Sequence, residues 1–90
     1  MNLIVILQEA RALLALPDND YSWSSWRDAP HALAEIDDLI ARLERGEMPP
    51  RISLTVLFAP TGPIQEVSLS SGWAQAFLDL AKRFDEEMGE

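Results

Sequence analysis

Three ionisable side chains are placed so that a fold could gather them into a reacting site: Asp28, His31 and Glu66. His31 is the natural proton carrier, because imidazole titrates near neutrality, but general-base work also needs an orienting carboxylate and a nucleophile within reach. Asp28 stands three residues before it. That spacing suits a helix N-cap equally well, the carboxylate accepting a backbone N–H of the first turn. Glu66 would take part in acid–base chemistry only if it were partly buried against a second carboxylate. The chain has so many serines that a Ser-His-Asp set could be assembled by choice, so it carries no information. No catalytic residue is assigned, and an enzyme or small ligand-binding domain built on these three residues is the alternative reading.

Two loops offer other chemistry. Asp18, Asp20 and Ser22 match positions one, three and five of an EF-hand loop, yet Trp23 stands where glycine is required and Ala29 where the bidentate glutamate belongs. With no cysteine and one histidine, no metal or cofactor is expected. Thr61 and Gly62, beside Gln65 and Glu66, form a turn whose backbone could cradle an anion; no phosphate-loop pattern or following lysine supports that, so a rigid tip is the default. Tyr21, Trp23, Trp26 and Arg27 belong to the residue types richest in binding hot spots and are the candidate partner-binding set. The competing role for the tryptophans is to plug the end of a helical core, and different ring faces can do both.

The elements that must position these residues follow from apolar spacing. Leu3, Leu7, Ala10 and Leu14, flanked by Ile6 and Leu13, predict a helix from about Leu3 to Leu16, ended by Pro17. Asp28 caps a second helix in which Leu33, Ile36, Leu39, Ile40 and Leu43 trace one face as far as Arg45, with Gly46 as its left-handed terminator. Asp38 and Arg42 are spaced to pair on its wet side. Ile52, Leu54, Val56 and Phe58 alternate with Ser53, Thr55 and Leu57, the period of a half-buried strand. Ala59 to Pro63 is rich in turn residues, with Gly62 able to take a positive φ, and Ile64 to Leu69 returns as a second strand. The rival for this stretch is a short helix at Leu54 to Phe58 and a helical turn begun by Pro63. Ser70 or Ser71 then caps a last helix bearing Trp73, Ala76, Phe77, Leu80, Ala81, Phe84 and Met88, with Asp79 and Arg83 paired and an acidic end that should fray.

The expected fold is therefore α+β: three helices on a two-stranded antiparallel hairpin, in the order ααββα, as one domain over residues 1–90. A small all-α bundle is the alternative. The chain carries 15 acidic and 7 basic residues, a net charge of −8, which disfavours nucleic acid and anionic membranes and favours a basic protein partner. Its start has neither the basic region and cleavage site of a signal peptide nor an apolar run long enough for a bilayer, so a cytoplasmic location is expected.

The pattern SWSSWRDA before AEIDDLI, then VLFAPTGPIQEVSLSSGW and FLDLAKRFD, resembles a family of short uncharacterised bacterial proteins. The resemblance spans nearly everything after the first helix. It implies a bacterial origin and brings no activity, ligand or catalytic residue. The functional expectation is a small binding or regulatory protein, of the immunity or antitoxin kind, whose acidic surface and aromatic loop meet a basic partner. A homodimer joined through exposed strand edges or spare apolar helix surface is a further possibility.

Overall fold

Helical spacing governs every regular element among the described residues, including the stretch whose alternation suggests strands. The computed structural model describes residues 2–60 and 62–89. Among these residues there are five helices: α1 (Asn2–Leu14), α2 (Ala29–Glu44), α3 (Arg51–Phe58), α4 (Pro63–Ser71) and α5 (Ala74–Met88). No strand occurs among the described residues, so the expected α+β architecture is overturned and the helical bundle takes its place. The expected strands Ile52–Phe58 and Ile64–Leu69 are α3 and α4. Dimerisation through strand edges loses its basis with them.

The physical reason lies in which residues find a core. α3 buries Leu54, Leu57 and Phe58, and α4 buries Ile64, Val67 and Ser68, both at i, i+3, i+4. A helix penalty of at most about 0.7 kcal/mol per β-branched residue is outweighed by about 1.5–3 kcal/mol for each large apolar side chain enclosed. An isolated two-stranded hairpin would also leave both its edges unpaired. Pro63 occupies the first turn of α4, where its missing N–H costs nothing. Gly62 does not adopt the expected positive φ; its φ is −83°. Its need for glycine is steric, since a Cβ there would run into the Val56 carbonyl oxygen and lie 3.1 Å from those of Leu57 and Ala59.

α1 supplies the centre, packing against α2, α5 and α4, while α4 also contacts α5 and carries α3 on its outer side. Leu3, Ile6, Leu7, Ala10 and Leu14 of α1 are buried, one stripe at helical spacing. α1 stops at Leu14 rather than Leu16, and the carbonyls freed at its end are taken by side chains of the next loop. Tyr21 Oη donates to the Leu14 carbonyl at 2.6 Å and Asn19 Nδ2 to that of Leu13 at 2.7 Å. α2 follows its sequence closely: Asp28 Oδ1 accepts the His31 N–H at 3.0 Å, and Gly46 follows at φ 80°.

The expected Ser70 or Ser71 cap is also corrected. Both serines lie in the last turn of α4, which ends at Gly72 in the left-handed region (φ 85°), and Ser71 Oγ instead accepts the Asp20 N–H at 2.9 Å. Trp73 is the N-cap of α5 and anchors it by donating Nε1 to Asn19 Oδ1 at 2.8 Å. The Phe77, Leu80 and Phe84 stripe of α5 is buried, and Phe84 stacks on Phe58 of α3 with ring centroids 4.4 Å apart. α5 runs on to Met88, whose carbonyl accepts from Arg51 at 3.1 Å.

Candidate functional site

α3 is only eight residues long, and its buried face is used on α4 and α5. Its other face looks across a gap toward α2, where the two helices scarcely touch. The gap is a groove of about 590 Å³. One wall is the α2 stripe His31, Glu35, Asp38 and Arg42, at i, i+4, i+7 and i+11. The other is Ile52, Ser53 and Val56 of α3. Leu39, Leu57 and Trp26 lie beneath, and Ser25, Pro50 and Pro63 complete the lining. Ile52 is 68% exposed and Val56 51%. Two β-branched apolar side chains one turn apart are thus left in water beside a charged helix.

The electrostatics of the two walls differ. Arg42 Nε sits 3.1 Å from Asp38 within α2, the pair expected from the sequence. Glu35 Oε2 accepts the Trp26 indole N–H at 2.7 Å, a neutral donor, and no cation pairs with this carboxylate among the described residues. That bond also fixes the ring in the groove floor, where Trp26 is 3% exposed.

The candidate aromatic set therefore separates. Trp26 is the core plug, while Trp23 projects from the loop with 75% of its surface exposed. The loop between them is pinned: Ser24 Oγ accepts the Trp26 N–H at 3.2 Å and donates to the Pro63 carbonyl at 3.5 Å, at the start of α4. Tyr21 is half-buried against the end of α1, and burial pushes its phenol pKa up. Arg27 is exposed, and its backbone N–H is received by His31 Nδ1 at 3.2 Å.

Asp28, His31 and Glu66 are not gathered. Asp28 and His31 serve the start of α2, one through its carboxylate and the other through its ring nitrogen. His31 lines the groove, Asp28 lies by a separate depression near Pro17 and Tyr21, and Glu66 is half-buried on α4. Thr61 falls outside the described residues. Gly62 is buried under the end of α3, and Gln65 borders a cleft lined also by Leu78 and Lys82, separate from the groove. Asp20 Oδ1 accepts the Ser22 N–H at 2.8 Å, and hydrogen bonding to Ser22 holds the carboxyl below its ordinary value. Among the described residues, no three histidine, aspartate or glutamate side chains converge as a metal site requires.

Glu35, Ile52 and Val56 were not among the residues singled out from the sequence. The polar stripe of α2 was visible in its spacing, but it is the pattern of any solvated helix face. Ile52 and Val56 fitted the inward face of a strand.

No protein-family model, curated protein or solved structure matches the chain. No helix among the described residues is long and apolar enough to cross a membrane.

Proposed function

We propose that this chain is a small acidic protein-binding or regulatory domain of the immunity or antitoxin kind, acting in the cytoplasm on a basic protein partner. The observation that carries the reading is the open α2–α3 groove, where an apolar wall stands exposed opposite an acidic helix in a chain of net charge −8. Charge draws a basic partner in and the apolar surface holds it. Trp23, exposed on the loop that also supplies the groove's Ser25 and Trp26, adds an aromatic side chain of the type that anchors interfaces. The reading assigns no chemistry to Asp28 or His31, whose hydrogen bonds are accounted for by the start of α2.

Co-purification from a native lysate at low and high salt tests it. A stoichiometric basic protein that is retained at low salt and released as charges are screened is the expected outcome. Recovery of no stoichiometric partner would contradict the reading.

A further inference from the structure

The shape of the groove restricts what can occupy it. His31 to Arg42 spans eleven residues of α2, about 16 Å or three helical turns at 1.5 Å per residue. Both walls are helices, which satisfy their own backbone groups, so there is no strand edge to which an extended peptide could add. The groove is also open to solvent along its length, unlike a pocket that encloses most of a small ligand. A helix laid in the groove is the mode that remains.

Charge complementarity sets its chemistry. Glu35 carries a charge met only by a neutral indole N–H among the described residues, whereas Asp38, one turn further along the same wall, is already paired with Arg42. A second copy of this chain is a poor occupant, because each copy carries −8 and α2 also exposes Asp37 and Glu44.

We infer that the α2–α3 groove takes a basic amphipathic helix of about three turns from a partner protein, with its apolar stripe on Ile52 and Val56 and its cations toward Glu35. This deepens the protein-binding reading and rests on it. The occupant presents apolar residues at i, i+3, i+4 and i+7, flanked on one side by lysine or arginine.

The probe is a synthetic capped peptide with leucine at those spacings and lysine on the flanks. Its controls are a scrambled peptide of the same composition and a version with glutamate for lysine. Titration calorimetry with the full chain should show binding of the lysine peptide alone, with helical circular dichroism induced in the complex. The double variant Ile52→Ser, Val56→Ser should weaken binding about tenfold or more. Glu35→Gln keeps the acceptor for Trp26 and should weaken it a few-fold at low salt, with the difference vanishing at high salt. Leu78→Ser, at an exposed apolar site outside the groove, should leave affinity within about twofold. Absence of binding, equal binding of the glutamate peptide, or equal losses from Leu78→Ser and the double variant would overturn the inference. So would a dimer in light scattering that the double variant dissolves. Carrying the double variant through the lysate experiment separates the two claims. A partner retained by that variant removes the groove helix and leaves the protein-binding reading standing, whereas a wild-type chain that captures nothing removes the reading itself.

Discussion

The seams on either side of α1 are closed, and the seam between α2 and α3 is open. Where α1 meets α5, Leu3, Ile6 and Leu7 face a bundle filled by Phe77, Leu80 and Phe84. The rim is tied by Arg83, which donates to both carboxylate oxygens of Glu9 at 3.0 and 2.6 Å. Where α1 meets α2, Arg11 does the same for Asp37 at 2.5 and 3.1 Å. On the α3 side, the α2 ion pair stays within its own helix, Arg42 to Asp38, and the apolar residues opposite remain in water. Helix seams close when both faces are apolar over several turns. α3 has two turns and buries only Leu54, Leu57 and Phe58, so its remaining apolar surface has no counterpart among the described residues. An apolar wall without an internal partner is what a binding face requires.

Substitutions test this contrast. Phe84→Ala removes a fully buried ring stacked on Phe58, and it should cost about 3–5 kcal/mol in denaturant unfolding. A loss below about 1 kcal/mol would mean that α3 is not held to α5 as described. Gly62→Ala places a methyl against the Val56 carbonyl, and a loss of about 1–3 kcal/mol is expected. An unchanged midpoint would show that the α3–α4 turn is not closely packed at Gly62.

Arg83→Met tests the closed rim. Hydrogen bonding from Arg83 lowers the Glu9 pKa from its ordinary 4.5. The pair therefore adds stability above that value, and the contribution is lost as pH falls through the depressed folded value. Both groups are largely exposed, so the effect is small. The melting temperature of the variant should lie slightly below that of the parent at pH 7 and converge with it as the pH falls through the depressed Glu9 value. A gap that persists in acid would assign the effect to packing of the arginine stem. The double variant Ile52→Ser, Val56→Ser should change stability least, within about 0.5 kcal/mol. A large loss would mean that the α2–α3 seam is already closed in the unbound chain.

How much of this could be read from the chain differs by element. α2 was legible because independent signals agree on it: an aspartate cap, five apolar residues at helical spacing and a terminal glycine. α3 and α4 were not, because runs of eight and nine residues fit both periods. Ile52, Leu54, Val56 and Phe58 describe a strand as well as Leu54, Leu57 and Phe58 describe a helix, and only the surrounding core decides. Misreading them displaced the caps as well, turning the end of α4 into the start of the next helix. For the site, the aromatic loop was singled out from the sequence, but two tryptophans three residues apart carry no mark of which one is enclosed. The partner of Trp26 is Glu35, and Trp73, counted only in an apolar stripe, holds Asn19. The groove itself was invisible, since a gap between helices depends on how α4 carries α3 and not on any local pattern.

The openness of that gap can be measured on the unbound protein by methyl NMR with a soluble paramagnetic relaxation agent. Ile52 and Val56 methyls should be broadened as strongly as those of exposed Leu78, while those of buried Leu54, Ile36 and Leu57 stay sharp. Protection of Ile52 and Val56 equal to that of Leu54 would show α3 packed against α2 and would contradict the docking groove.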